Sequence, residues 1–253
     1  MPALTQKLRR ILAISGVLGV LVFVSRSLLG HVRAWHPARF RQRLLRRRLE
    51  LDFDRRWAVE TSAAYMPPEE TVTGVNWVHG VRYEGVDPGL LDRLLPQLNL
   101  RYEDYTYVDL GAGKGRSLLL ASRFPFRRVI GVEYAEALCA TARDNLRRFA
   151  RAEIRCGGIE VVHGDAGAFA LPGGPLLIFM FNPFGEVVMR QVAENVGRAF
   201  AREPRDIVVA YFVPRHPRPW AQLAFLEEIR VNDAMTLFVT KSYRGCRANF
   251  SRV

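Results

Sequence analysis

The stretch that decides the fold of this chain is YVDLGAGKGR, residues Tyr107–Arg116. The apolar and aromatic residues from Tyr105 to Leu110 predict a buried strand, and the glycines that follow predict a tight turn. The apolar run that begins at Ser117 predicts the start of a helix. A strand, a glycine turn and a helix in this order can seat a nucleotide-like cofactor on backbone amides.

Two other glycine motifs do not fit this stretch. A phosphate-binding P-loop needs GxxxxGK followed by Ser or Thr, but Lys114 is followed by glycine and the first glycine position is Val108. A dinucleotide fingerprint needs GxGxxG/A. Gly111 and Gly113 match it, but Arg116 stands where the third small residue is required. The stretch therefore predicts neither a P-loop nor a dinucleotide site.

The pattern that remains is an acid two residues before a glycine pair, Asp109-x-Gly111-x-Gly113. For the glycines alone, an ordinary strand-to-helix turn that needs positive φ stays an alternative. A second predicted strand, Arg128–Val132, ends at Glu133, which lies 133 − 113 = 20 residues after Gly113. A carboxylate at this strand end can accept hydrogen bonds from both hydroxyls of a ribose.

Two further predicted strands also end in polar residues. The third, Ile159–His163, is followed by Asp165, for which a turn or N-cap aspartate is the competing interpretation. The fourth, Leu176–Phe181, ends in Asn182–Gly185, for which a plain Asn-Pro turn is the alternative. Four successive strand ends that carry polar or glycine residues indicate a cofactor site more specifically than any one of these strand ends does alone.

From about Phe53 to Val253 the chain resembles a bacterial class I S-adenosylmethionine (SAM)-dependent methyltransferase. The residues that carry the resemblance are Asp109–Arg116, Gly131–Glu133, Gly164-Asp165 and Asn182–Gly185. A looser similarity links it to the seven-strand lysine methyltransferases, whose fourth strand likewise ends in asparagine and phenylalanine. The resemblance implies an α/β, Rossmann-like fold: a mostly parallel seven-stranded sheet with helices on both faces, and an N-terminal helical extension.

The resemblance also implies a role for each strand end. SAM is expected at the first three, on Asp109, Gly111, Ala112, Gly113, Glu133 and Asp165. The glycines would allow close approach, Asp109 would orient the loop, Glu133 would hold the ribose and Asp165 the adenine. The expected catalytic residues are Asn182, Pro183 and Phe184, where Asn182 and the Pro183 carbonyl would accept hydrogen bonds from an acceptor amine. Enzymes that methylate bases or glutamine carry two prolines here, and this chain has one.

The basic charge is concentrated at the N-terminus. The net charge is +12, but residues 1–60 hold 13 Lys and Arg against 4 Asp and Glu, a net of 13 − 4 = +9, and the rest carries 12 − 9 = +3. This distribution favours a protein acceptor over RNA. Neither the five histidines nor the three cysteines (Cys139, Cys156 and Cys246) have metal-ligand or paired spacing, so no metal is expected.

An uncharged apolar run begins at Ile11, and residues 11–30 have the borderline length of a membrane-spanning helix. More arginines follow this run than precede it, which predicts that its C-terminal side is cytoplasmic. Arg41–Arg48 would then lie at an anionic membrane surface. A buried helix of the soluble part is the alternative.

The predicted domains are a membrane anchor over residues 1–34, a basic helix and cap over 35–100, and a methyltransferase domain over 101–253. The predicted function is methyl transfer from SAM to an amine nitrogen of a protein, of the lysine type, at the cytoplasmic face of a membrane. An RNA, small-molecule or lipid methyltransferase, and a non-catalytic SAM-binding protein, stay open as alternatives. Candidate lid residues are Trp57, Glu60, Tyr65, Trp77 and Tyr83.

Overall fold

The computed structural model describes residues 37–65 and 83–243. The chain divides into two compact units, residues 1–48 and 49–253. The basic helix predicted at the start of the region 35–100 is present as α1, Pro37–Trp57. The apolar run at 11–30 lies outside the described residues. Among the helices that are described, none is long and apolar enough to cross a bilayer.

Seven strands form one sheet in the order β3-β2-β1-β4-β5-β7-β6. The first five are parallel, and β7 runs antiparallel to both of its neighbours, β5 and β6. The prediction of a mostly parallel seven-stranded sheet is therefore confirmed. The strands are β1 (Thr106–Leu110), β2 (Arg128–Glu133), β3 (Ile159–His163), β4 (Leu176–Phe181), β5 (Ile207–Phe212), β6 (Leu226–Asn232) and β7 (Met235–Thr240).

Helices cover both faces of this sheet, as predicted. They are α2 (Leu90–Leu98), α3 (Arg116–Ala121), α4 (Glu136–Arg148), α5 (Glu186–Arg202) and α6 (Arg218–Ala221). Successive strand residues point to opposite faces, so Tyr107 packs with the leucines of α2 and α3. Its neighbour Val108 packs in a second core with Val192 of α5 and Trp220 of α6. Two apolar cores therefore hold the sheet between them.

Burial on both faces explains why β4 and β5 are continuous apolar runs rather than alternating ones. In α2, five leucines at helical spacing are buried, and the helix ends at Asn99 in the left-handed conformation. Phe53, Val59 and Val86 share the core of α2 and α3. The segments before β1 are thus packed into the sheet domain, on the side where the glycine turn begins α3.

Candidate functional site

The site lies where the strand order reverses. From β1 the sheet continues to β2 and β3 on one side and to β4 and β5 on the other. In open parallel sheets, ligands bind at the carboxyl ends of the strands beside such a switch point. The glycine loop follows β1, and Asn182 follows β4, the strand paired with β1. The topology therefore brings the predicted cofactor and acceptor motifs side by side.

The glycine loop after β1 has left-handed backbone at Gly111 (φ +90°) and Gly113 (φ +55°). The N–H groups of Gly111 and Ala112 donate to the Val132 carbonyl at 2.9 and 3.1 Å. The loop thus folds back over the end of β2, and a residue with a side chain would be strained at either glycine.

The loop also touches the acceptor motif. A Cβ at Gly111 would lie 2.4 Å from Pro183 Cβ and 3.7 Å from the Phe184 ring. Only a glycine leaves room for this contact. The predicted cofactor-binding and catalytic residues are therefore in van der Waals contact at Gly111 and Pro183.

Close packing of the helix on the sheet depends on a glycine that the sequence reasoning missed. A Cβ at Gly131 in β2 would lie 2.5 Å from Leu118 Cδ1 of α3 and 2.8 Å from Ala112 Cβ. In a dinucleotide fingerprint the third glycine of the loop allows this approach. Here the strand supplies it, which leaves Arg116 free to point elsewhere. An isolated glycine inside a strand was the available signal.

Glu133 at the end of β2 is 4% exposed. Its Oε2 accepts a hydrogen bond from the Gly113 N–H at 2.9 Å, and its Oε1 accepts from the Ala135 N–H at 3.0 Å. Burial raises the pKa of Glu133, and the backbone N–H donors oppose that rise. One carboxylate thus ties the glycine loop to the start of α4.

Asp109, the acid of the motif, is buried at the end of β1 and accepts a hydrogen bond from the Ser117 hydroxyl. Burial raises its pKa to about 7, the Ser117 hydrogen bond opposes the rise, and the nearby Glu133 charge adds to it. Asp109 therefore links β1 to the first turn of α3, and two carboxyl groups lie beneath the loop.

Asp165 follows β3, beside the Glu133 strand end: the Gly164 N–H donates to the Glu133 carbonyl at 2.9 Å. Its side chain is exposed, and its Oδ1 accepts from the Gly167 N–H at 2.8 Å. This is an Asx turn, the competing interpretation of the residue. A turn does not exclude a ligand contact, so its role toward an adenine stays a prediction.

Asn182 has left-handed backbone (φ +42°) and is 8% exposed. Its N–H donates to the Phe212 carbonyl at 3.0 Å, which ties the end of β4 to the end of β5. Its side-chain Oδ1 is buried and has no hydrogen-bond partner among the described residues. Phe184 is buried in the core that faces α5. Asn182 thus offers an unused acceptor, while Phe184 also has a packing role.

A segment before β1 covers the loop. The Tyr83 ring lies over Gly113, where a Cβ would come within 2.2 Å of the ring, and the Tyr83 hydroxyl donates to the Thr61 carbonyl at 2.8 Å. The Lys114 ammonium pairs with Glu60. Two of the predicted lid residues therefore contact the loop.

The other predicted lid residues lie elsewhere. Tyr65 forms a β-bridge with Tyr83, whereas the Trp57 ring packs on Phe149 with centroids 4.9 Å apart. Trp77 is outside the described residues. Within 37–65 and 83–243, no cluster of three or more His, Cys, Asp or Glu could hold a metal ion. Cys139 and Cys156 are both free thiols.

No family model matches this chain, and no curated protein matches it. Among solved structures, the methyltransferase domain of bacterial CtHen1 is 15% identical, with a TM-score of 0.44, over 60% of this chain and 96% of its own. An RNA methyltransferase from Salinibacter ruber, in complex with S-adenosyl-L-homocysteine, is 18% identical, with a TM-score of 0.41, over 64% of this chain and 96% of its own.

A predicted N6-adenine-specific DNA methylase from Listeria monocytogenes is 14% identical, with a TM-score of 0.45, over 61% of this chain and 51% of its own. This chain thus spans about half of that protein. The fold assignment rests on the order and directions of the seven strands themselves. The protein has the Rossmann-like fold of class I methyltransferases.

Proposed function

We propose that the protein is a class I SAM-dependent methyltransferase that methylates an amine nitrogen of a protein, of the lysine type, at the cytoplasmic face of a membrane. The observation that carries the proposal is the contact between Gly111 and Pro183, with the buried and unpartnered Oδ1 of Asn182 beside it. A cofactor loop and a hydrogen-bond acceptor for an incoming nitrogen share one edge of the sheet. A protein that only binds SAM does not require the second feature.

The charges at the loop favour SAM over a phosphate-bearing cofactor. Asp109 and Glu133 are both buried beneath it. The cations nearby are engaged: Lys114 pairs with Glu60, and Arg116 donates to Thr61 and Val86. Two carboxyl groups offer a pyrophosphate no positive charge, and each of them repels it when ionised. They suit a cofactor that carries a cationic sulfonium and a ribose diol.

SAM, when bound, supplies an activated methyl group: the C–S bond breaks as the N–C bond forms, and the bond electrons neutralise the sulfur. The chain then has to align the acceptor and exclude water. Asn182 Oδ1 would accept a hydrogen bond from an acceptor N–H and aim the nitrogen lone pair. A lysine ammonium has to release a proton to solvent before attack, and the second proton leaves after transfer.

A protein acceptor is supported by the charge distribution, since the excess of basic residues lies in residues 1–60 and not in the sheet domain. The membrane part of the proposal is supported by the apolar run at 11–30 and by the arginines of α1 that follow it. Arginines in this position are attracted to anionic lipids.

One observation favours RNA as a second candidate acceptor. Arg215 and Arg218 are exposed on the segment after β5, the strand whose Phe212 carbonyl bonds to Asn182. Arginines beside an acceptor site can neutralise phosphates. A double variant, Arg215→Gln with Arg218→Gln, would then weaken RNA binding and reduce its dependence on salt.

The test is to incubate the full chain with methyl-labelled SAM and a lysate from cells that lack the protein. Protein, RNA and lipid are then separated, and membrane and soluble fractions are counted apart. We expect label in a discrete protein band of the membrane fraction, and its rate of appearance should be roughly 10–100-fold lower with the variant Asn182→Gly. Label in RNA or lipid would refute the proposal that the acceptor is a protein, but it would still support methyltransferase activity. Binding of SAM with no label in any fraction would refute the proposal that the protein transfers a methyl group.

A further inference from the structure

Arg116 begins α3, directly after the glycine loop, yet its guanidinium is 1% exposed and directed at the segments that precede β1. Its Nε donates to Thr61 Oγ1 at 2.7 Å, and its Nη1 donates to the Val86 carbonyl at 2.7 Å. Carboxylates of Glu50 and Asp54 lie 3.7 and 3.9 Å away. One buried cation therefore contacts two separate stretches of the pre-sheet chain.

Two other polar side chains complete this attachment. Asp54 accepts from the N–H groups of Thr61 and Ser62 at 2.9 and 2.8 Å. Asn145 of α4 accepts from the Glu60 N–H at 2.8 Å and donates to the Glu60 carbonyl at 3.0 Å. Residues 60–62 are thus fixed by side chains, in a stretch outside the helices and strands.

The attachment reaches the loop through Tyr83. Its hydroxyl is bonded to the Thr61 carbonyl, and its ring covers Gly113. Gly113 is the residue whose N–H is held by Glu133. A continuous series of contacts thus runs from Arg116 through Thr61 and Tyr83 to the loop that is proposed to bind SAM. Displacing Thr61 would withdraw the tyrosine ring from the glycine.

We propose that Arg116 is a positioning residue for the cofactor: it holds residues 60–62 and Tyr83 on the glycine loop and thereby sets how slowly the cofactor leaves. The inference rests on the proposed function, because it takes SAM as the ligand. A buried, charged side chain of fixed geometry suits this role, because a guanidinium can donate in several directions from one plane. The residue that breaks the dinucleotide pattern is then part of the same site.

The test compares two substitutions at Thr61 in the full chain. Thr61→Val keeps the shape and removes the oxygen that accepts from Arg116 and donates to Asp54, whereas Thr61→Ser keeps that oxygen. S-adenosylhomocysteine release is measured by stopped-flow mixing, at a temperature where circular dichroism shows both variants folded. We expect release to be roughly tenfold faster with Thr61→Val and within about twofold of wild type with Thr61→Ser.

A second measurement separates positioning from general stability. Hydrogen exchange at the amides of residues 60–62 is followed with and without S-adenosylhomocysteine. We expect the ligand to slow their exchange in the wild type and not in Thr61→Val or Arg116→Lys, while amides of β4 and β5 stay protected in all. Wild-type release rates in both folded variants would overturn the inference and leave the proposed function intact. A wild type that binds neither SAM nor S-adenosylhomocysteine would overturn both.

Discussion

The two halves of the site differ in how completely the chain satisfies its own polar groups. On the cofactor side, after β1 and β2, the Gly111, Ala112 and Gly113 N–H groups all have acceptors, and Glu133 uses both oxygens. On the acceptor side, after β4, a buried amide oxygen of Asn182 has no hydrogen-bond partner among the described residues. The first half is assembled without a ligand, and in the proposed function the second half would be completed by the substrate.

The difference has a physical consequence for function. A preassembled loop binds without first being ordered, so little binding free energy is lost to rearrangement. A buried acceptor without a partner costs about 1–3 kcal/mol, and in the proposed function a substrate N–H that reaches it would recover that cost. Changes on the cofactor side should therefore affect binding, and changes on the acceptor side should affect the rate of transfer.

The largest effect is expected where the two halves touch. Gly111→Ala places a methyl group 2.4 Å from Pro183 Cβ at a backbone φ of +90°. Overpacking and left-handed strain together should destabilise the fold by about 2–5 kcal/mol and abolish SAM binding. Thermal unfolding and calorimetric titration measure the two effects. The control is Gly158→Ala, where a Cβ would meet nothing within 4 Å; equal losses in both variants would refute the role of the contact.

The second largest effect is expected at Glu133. Glu133→Gln turns one accepting oxygen into an NH₂ group that faces a backbone N–H, at Gly113 or at Ala135. A lost acceptor for the loop, together with a weaker grip on the ribose, should reduce SAM affinity by roughly 100-fold, about 2.7 kcal/mol. Calorimetric titration gives the affinity. The matched control is Glu160→Gln on the adjacent β3, an exposed acid paired with Arg128, which should bind as the wild type does.

A smaller and different effect is expected at Asn182. Asn182→Gly removes the unpartnered oxygen and keeps a residue that tolerates the φ of +42°. SAM affinity should stay within twofold of wild type, whereas kcat should fall by roughly 10–100-fold because the acceptor nitrogen is no longer aimed. Single-turnover transfer and titration separate the two quantities. A loss of SAM affinity equal to the loss of rate would remove the distinction between the halves.

The smallest effect concerns the acid beneath the loop. Burial raises the pKa of Asp109 from 3.8 to about 7, so between pH 4 and 7 the folded chain binds more protons at this site than the unfolded chain. The stability that it contributes is present at low pH and is lost as the pH rises through 7. Asp109→Asn does not titrate, and it should melt roughly 2–4 °C above the wild type at pH 8.

The difference should shrink steadily as the pH falls from 7 to 4, since Asp109 then becomes protonated in the unfolded chain as well as in the folded one. Differential scanning calorimetry across this range gives the comparison. A constant difference at every pH would show that the gain came from something other than the titration of Asp109.

Several parts of the fold could be predicted from the sequence because they depend on local pattern. The strand boundaries at Arg128–Glu133 and Leu176–Phe181 follow from apolar runs that end in polar residues. The hairpin of β6 and β7 follows from an alternating stretch and an apolar stretch that are joined across Asn232 and Asp233. The position of β7 between β5 and β6 in the sheet depends on tertiary packing, and no short stretch of sequence specifies it.

The parts of the site that sequence could not supply are long-range contacts. In the sequence, Arg116 is only the residue that does not match the dinucleotide fingerprint. In the fold, it is a buried hydrogen-bond donor to Thr61, 55 residues away. The Tyr83 ring over Gly113 joins positions separated by 30 residues. Residue type and order predicted which strand ends would lie together at the candidate site, but only packing shows which neighbours hold them in place.

Gly131 has a consequence for how such loops evolve and can be engineered. The space needed between helix and sheet is supplied by the strand, so the small residue that this packing requires stands at position 131 and not at position 116, 15 residues earlier in the chain. If a loop of this type were grafted onto another sheet, it would keep its own glycines but lose the space that Gly131 leaves between helix and sheet. The portable unit is the loop together with the following strand, and a search that scores the loop alone would overlook proteins built in this way.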